Sequence, residues 1–297
     1  MSDRIALITS QFQPISLEEI NRRAALQTRA DNKYFLPWSR FAAFVELLHS
    51  THVILEIGGQ RAFTYDTQYF DTVDLGSYWD HVQKRRKRFK CRSRRYVDNG
   101  QYFFEIKLKS GRGETVKHKI EYREEDWGSV TPTAATFLEE CLRTSYGVVF
   151  TERLVPTLRT LYQRVTLAAE DGTERITCDF NLAFGADSRW QGRMAPDYVL
   201  VETKSSLGRG AADKLLWGLG ARPTSGSKYC LGLSLVQPTL RSNPFQYVRK
   251  HYFLREGEPG AEQLPAEPAA SPAARAVGDS RAAGHLPLPS TASILFE

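Results

Sequence analysis

The sequence predicts an α+β fold of mainly antiparallel strands, with helices outside and charged side chains lining the inside. Three observations predict it. Several segments alternate charged and apolar residues with period two, turn pairs such as Asp98-Asn-Gly100 and Ser110-Gly111 separate them, and four stretches carry helical signals. Asn-Gly between alternating runs is a strong hairpin signature, because its left-handed backbone angles suit the twist of the flanking strands.

In chain order, Ser16-Leu-Glu-Glu19 is a capping-box pattern that opens a helix to about Arg29. Residues 38–49 place Phe41, Phe44, Val45 and Leu48 on one stripe, the spacing of an amphipathic helix. In 89–96, Lys90, Arg92 and Arg94 share a face that ends with Tyr96. Residues 101–109 set Glu105, Lys107 and Lys109 against Tyr102, Phe104, Ile106 and Leu108. The following strand opposes Lys117, Lys119 and Glu121 to Val116, Ile120 and Tyr122. Helical patterns cover 133–145 and 210–219. Two further strands set Arg175, Thr177 and Asp179 against Ile176, Cys178 and Phe180, and Glu202 and Lys204 against Val201 and Thr203.

One wet face on an antiparallel sheet is ordinary. Five strands that each carry Arg, Lys and Glu on one side and bulky apolar residues on the other form a different pattern. Helices would cover the apolar side from outside, and the charged side would line a closed barrel, where inward and outward residues alternate. A cationic lining suits a polyanion, because Lys and Arg donate to phosphate oxygens and Arg does so in a forked geometry. The cationic candidates are Lys33, Lys90, Arg92, Arg94, Lys107, Lys109, Lys117, Lys119, Arg164, Arg175, Lys204 and Lys228. Only Glu105, Glu121, Asp179 and Glu202 oppose them, which leaves carboxylate for a metal.

Composition narrows the class. The 297 residues carry 40 Lys+Arg against 34 Asp+Glu, an ordinary globular balance with a formal charge of +6. No apolar run approaches the roughly 20 residues of a membrane span, and the first residues lack a signal-peptide pattern. Cys91, Cys141, Cys178 and Cys230 are dispersed without a Cys-x-x-Cys pair, which reads as reduced thiols in a cytoplasm. No Walker Gly-x-x-x-x-Gly-Lys-Ser/Thr occurs, so P-loop chemistry is excluded. Residues 1–30 read as an N-terminal helical segment, 31–255 as the domain, and 256–297 as a disordered Pro/Ala-rich tail holding six of the 14 prolines. Residues 84–95 hold nine basic side chains in twelve: 84–88 read as an exposed basic mouth, and Lys90, Arg92 and Arg94 point inward. RNA is the rival partner for the exposed half. His81 and His118 read as structural.

These residues resemble the VTC-domain polyphosphate polymerases of the triphosphate tunnel metalloenzyme superfamily. The resemblance runs from about Asp31 to Tyr252 and rests on Lys33-Tyr-Phe, Tyr69-Phe-Asp-Thr-Val-Asp-Leu-Gly-Ser-Tyr-Trp-Asp-His81, Phe89-Lys-Cys-Arg-Ser-Arg-Arg-Tyr96 and Phe104-Glu-Ile-Lys107. Val116-Lys117, Tyr162-Gln-Arg164, Arg175-Ile-Thr-Cys-Asp179, Val201-Glu-Thr-Lys204 and Ser227-Lys228-Tyr229 follow in order. It implies an eight-stranded tunnel in which Lys33, Arg92, Arg94, Lys107, Lys117, Arg164, Arg175 and Lys228 bind phosphates; Ser227, beside Lys228, reads either as a further phosphate donor or as a turn serine. Glu202 would be the main ligand of Mn²⁺ or Mg²⁺ and Asp179 a second, water-mediated one. The implied activity is transfer of the ATP γ-phosphate to polyphosphate, with Arg92, Arg94, Lys117, Arg164 and Glu202 as the catalytic set. A tripolyphosphatase and a non-catalytic polyphosphate or inositol-phosphate binder are the alternatives. One departure favours the polymerase: the Glu-x-Glu-x-Lys of the triphosphatases is Arg29-Ala-Asp31-Asn-Lys33 here, with one acid left. ATP and polyphosphate are the expected partners, sequence-specific nucleic acid is not, a membrane protein drawing off product is compatible, and the oligomeric state is open.

Overall fold

The computed structural model describes residues 2–23, 30–109, 115–186, 189–206 and 208–258. The Ser110-Gly111 turn, the end of the first predicted helix and nearly all of the expected tail therefore lie outside the described residues. Along the chain come α1 (Ser2–Thr9), β1 (Pro14–Ile15), α2 (Leu17–Arg23), β2 (Ala30–Pro37), α3 (Trp38–Glu46) and β3 (His52–Leu55). Then follow β4 (Phe63–Thr72), α4 (Gly76–Val82), β5 (Arg88–Tyr96), β6 (Gln101–Lys109), β7 (Thr115–Tyr122) and α5 (Pro132–Tyr146). The remainder is β8 (Leu154–Ala169), β9 (Glu174–Ala186), β10 (Arg189–Met194), β11 (Tyr198–Ser205), α6 (Ala211–Gly218), α7 (Lys228–Val236), α8 (Gln246–Tyr252) and β12 (Phe253–Arg255).

Two compact units partition these elements, Met1–Thr64 with Thr160–Pro265, and Tyr65–Arg159. In the second unit, β4, β5, β6 and β7 pair in sequence as an antiparallel meander, with the start of β8 beside β4. Its apolar side gathers Phe89, Cys91, Phe104, Ile106 and Leu108 under Ala134, Leu138, Cys141, Leu142 and Tyr146 of α5. That helix starts because Thr131 accepts the Ala134 N–H at 3.2 Å and Pro132 fills its first turn. It stops at Gly147, whose φ of 68° only glycine adopts without strain. The buried Asp66 binds Arg159 at 2.8 Å and Arg95 at 3.1 Å, joining β4, β5 and β8.

In the first unit, β9 pairs with β8, β10 and β11, and β11 pairs with β2. The apolar sides of these strands contribute Tyr34, Leu36, Val165, Ile176, Cys178, Phe180, Val199 and Val201 to one core. Phe41, Phe44 and Val45 of α3, Ala212 and Leu216 of α6, and Ile5 of α1 cover it. Helices α1 and α2 fall in this unit, and β1 adds a short parallel pair to β3.

The sheet holds twelve strands, and among the described residues its pairing does not close into a ring of eight. The strands beyond eight are β1, β3, β10 and β12, short pairings that no hydrophobic alternation announces. No helix among the described residues is long and apolar enough to cross a membrane. All four cysteines are free and buried, and burial pushes the Cys141 thiol up to about 11.

Candidate phosphate-binding site

The charged side of the second unit is set by register. Across β5, β6 and β7, Lys90 stands opposite Lys107, and Lys107 opposite Lys117. One step along, Arg92 faces Glu105, which faces Lys119. Period two therefore assembles one basic ladder from three strands. At its centre Glu105 is wholly buried and takes three cations. Arg92 donates to Oε2 from Nε at 2.7 Å and from Nη2 at 2.6 Å, and Lys117 Nζ lies 2.7 Å from Oε1. Arg94 approaches to 3.7 Å, an ion pair without a short hydrogen bond. Its guanidinium lies over the Tyr65 ring at 5.2 Å and also donates to Thr67 at 3.4 Å. Lys119 sits 4.2 Å over the Phe103 ring, and Lys109 reaches Thr115 at 3.4 Å. Arg92, Arg94 and Lys117 are buried, whereas Lys90, Lys107, Lys109 and Lys119 are half-buried.

Tyr69, a buried residue of β4, also belongs to this constellation. Its hydroxyl receives Arg92 Nη1 at 3.1 Å. Burial acts to raise the phenol, but the charges of Arg92, Arg94 and Lys90 outweigh it and bring it below its ordinary value. A tyrosine pulled down inside a protein marks a strongly positive local potential.

A second constellation lies on the charged side of the first unit. Lys33 of β2 and Glu202 of β11 are register partners, with Nζ 3.6 Å from Oε1. On β9, Asp179 is wholly buried and is gripped by Arg164, Nε to Oδ1 at 2.6 Å and Nη2 to Oδ2 at 3.0 Å. Lys228 Nζ closes on Oδ2 as well and lies 4.9 Å over the Tyr162 ring. Burial acts to raise the Glu202 carboxyl, yet Lys33, Lys204, Lys228 and Arg164 together hold it well below the usual carboxylate range. The Asp179 carboxyl is likewise lowered, burial being outweighed by Arg164 and Lys228.

Two predicted residues have different surroundings. Arg175 shares the Asp179 side of β9, but its guanidinium donates to the Ile20 carbonyl at 2.9 Å and to Asn21 at 3.3 Å, so it ties down the end of α2. Ser227 is the N-cap of α7, accepting the Cys230 N–H at 3.2 Å, and that cap sets where Lys228 leaves the helix. His81 donates from Nδ1 to the Ser77 carbonyl at 2.7 Å, and burial together with Lys90 brings it down to about 3. It is neutral at working pH.

Glu202 is the carboxylate best suited to a divalent ion. Its ion pair with Lys33 is long, 3.6 Å, so a divalent ion would displace a weaker partner there than at Asp179, and a single carboxylate completed by phosphate oxygens and water is the usual protein share of a Mg²⁺ site. Asp179 has both oxygens engaged by Arg164 and Lys228, so service to a metal through water competes with those pairs. Among the described residues, no three His, Cys, Asp or Glu side chains group as a metal cage.

Residues 28–237 match the VTC domain family. No curated protein matches the chain. Similar solved structures include a Hippeastrum protein designated an adenylyl cyclase and described as having a dominant triphosphatase activity, at 15% identity and a TM-score of 0.46, covering 71% of this chain and 98% of that one. A Vibrio parahaemolyticus protein designated an adenylate cyclase matches at 12% identity and a TM-score of 0.40, covering 68% and 96%. A Pyrococcus horikoshii protein matches at 15% identity and a TM-score of 0.38, covering 70% and 98%. Similarity at that level says nothing of activity. The family match spans most of the sequence and includes every phosphate-binding candidate named above, and the chain belongs to the VTC domain family.

Proposed function

We propose that this protein is a divalent-metal-dependent polyphosphate polymerase. The observation that carries the reading is the excess of cations on the charged sheet faces: Lys90, Arg92, Arg94, Lys107, Lys109, Lys117 and Lys119 against Glu105 and Glu121 in the second unit, and Lys33, Arg164, Lys204 and Lys228 against Asp31, Asp179 and Glu202 in the first. Buried charge is expensive unless compensated, and phosphate oxygens are the compensation this donor set fits. The eight-stranded tunnel implied by the family resemblance, and a cytoplasmic location, belong to the same proposal.

In the reaction, an oxygen of the polyphosphate terminus attacks the γ-phosphorus of ATP. The bond from that phosphorus to the bridging oxygen breaks, and ADP leaves with the electron pair. Phosphoryl transfer needs positioning and charge neutralisation more than covalent help. Arg92, Arg94 and Lys117 in one unit, and Arg164, Lys33 and Lys228 in the other, supply cations to phosphate oxygens. Mn²⁺ or Mg²⁺ on Glu202 would neutralise further phosphate charge. Among the acids of the Arg29-Ala-Asp31-Asn-Lys33 stretch only Asp31 remains, across from Lys204 in the strand register. Few carboxylates near the metal ligand favour a phosphate acceptor over an activated water.

Purified protein incubated with ATP and Mn²⁺ should produce long phosphate chains on a gel, and Glu202→Ala should not. Orthophosphate as the sole product would make the protein a hydrolase. Anion binding without any turnover would make it a sensor.

A further inference from the structure

The alternation that puts Lys90, Arg92 and Arg94 on one side of β5 puts Arg88 there too, opposite Lys109 of β6. Exposure rises along this row. Arg94 and Arg92 are buried, Lys90 and Arg88 are half-buried, and residues 84–87 are exposed. Lys84, Arg85, Arg86, Lys87 and Arg88 are consecutive, so the row runs without an acid from the buried ladder to open solvent.

Intramolecular roles account for only part of this charge. Arg85 lies 3.3 Å from Asp80, and Lys87 donates to the Tyr146 carbonyl at 2.7 Å, capping the end of α5. The C-terminal end of α4 favours one nearby cation. The side chains of Lys84 and Arg86 have no hydrogen-bond or ion-pair partner among the described residues. Five successive like charges repel one another, and a polyanion relieves that repulsion.

Length identifies the ligand class. From Arg94 to Arg88, β5 rises about 20 Å at roughly 3.3 Å per residue, and the loop carries the charge farther. A lone triphosphate needs no such reach. A flat anionic bilayer would meet the loop but make no use of the buried ladder that continues it.

We propose that Lys84, Arg85 and Arg86 extend the basic row of β5 into a surface track that binds a linear polyphosphate chain, beyond the phosphates held at Arg92, Arg94 and Lys117. The identity of the anion rests on the polymerase reading; the existence of an extended polyanion track does not.

The test compares the full chain with a triple variant, Lys84→Asn, Arg85→Ser, Arg86→Ser. Asn suits position 84, whose φ of 55° lies in the left-handed region. Calorimetric titration with long-chain polyphosphate and with tripolyphosphate is run at two salt concentrations. Three exposed contacts worth about a factor of two each predict an approximately tenfold loss for the long chain. The slope of log affinity against log salt should fall by about two. Tripolyphosphate affinity should move by less than about twofold. Equal losses for both ligands, or no loss for the long chain, would overturn the track. So would binding to phosphatidylserine vesicles that the variant loses while its long-chain affinity holds. Should wild-type protein fail to polymerise ATP yet show the long-against-short difference, the track stands and the polymerase reading falls.

Discussion

Replacing Glu105 by Gln probes the balance of charge in the second unit most sharply. The carboxylate takes Arg92 through two nitrogens at 2.7 and 2.6 Å, Lys117 at 2.7 Å and the more distant Arg94 at 3.7 Å. All three cations are buried. Gln keeps the shape, removes the charge and turns an amide N–H₂ towards a cation. Removing one partner of a buried ion pair costs about 3–5 kcal/mol, and the upper half of that range applies where several cations lose one carboxylate. If the constellation is built for phosphate, an added anion should replace what was lost. A ligand at a hundred times its Kd stabilises the folded state by about 2.7 kcal/mol, and the more positive variant should hold tripolyphosphate more tightly than wild type. Urea unfolding should therefore show a loss of about 4–5 kcal/mol in chloride buffer, with tripolyphosphate returning more stability to the variant than it adds to wild type. A loss below about 1 kcal/mol, or equal stabilisation of both proteins by tripolyphosphate, would refute the reasoning.

Other expectations follow from the first unit and from α4. Lys228→Ala should weaken ATP binding by about 1.5–3 kcal/mol, the worth of a charged hydrogen bond, measured by calorimetry; unchanged binding would take Lys228 out of the site. Arg175→Ala should instead lower the unfolding free energy, by about 1–3 kcal/mol for buried acceptors left unmet at Ile20 and Asn21, with a smaller effect on ATP affinity than Lys228→Ala. Because the Glu202 carboxyl is depressed in the folded state, its stabilisation is present above the unfolded-state value and is lost as pH falls through the folded one. Glu202→Gln should flatten the acid limb of the stability profile, and an unchanged limb would count against the cation cluster around it. His81 acts in the same direction in a higher window: a histidine lowered to about 3 leaves the unfolded chain binding more protons below its ordinary value, so stability declines as pH drops from there. Between pH 6.5 and 5, wild type should lose on the order of 1–2 kcal/mol that His81→Gln does not.

Alternation along β5, β6, β7, β9 and β11 was legible in the sequence, because a half-charged strand repeats every two residues, and α3, α5 and α6 followed from their stripes and caps. Other elements left no such trace. The α7 segment, Lys-Tyr-Cys-Leu-Gly-Leu-Ser-Leu-Val, is buried on nearly every side, so no polar face marks its period. The short helix α4 is stabilised from outside its own sequence: Asp71 accepts the N–H groups of Ser77 and Tyr78 at 2.8 and 2.9 Å, beside Leu75 at a φ of 62°. Periodicity placed Glu105 on the charged side but did not reveal it as the hub of three cations, since that depends on the register of β5 and β7 against β6. Arg175 shows the converse limit. Alternation assigns its side of β9 correctly and says nothing of α2, which meets the end of that strand. Tyr69 carried no sequence signal that separated a core ring from a hydroxyl held against an arginine.

The most direct measurement is phosphorus NMR of the wild-type protein turning over ATP with Mg²⁺. The account predicts mid-chain phosphate signals that grow as the γ-phosphate signal decays and ADP accumulates, with neither change in Glu202→Ala. Decay of ATP to ADP and orthophosphate alone, or mid-chain phosphate made equally well by Glu202→Ala, would contradict it.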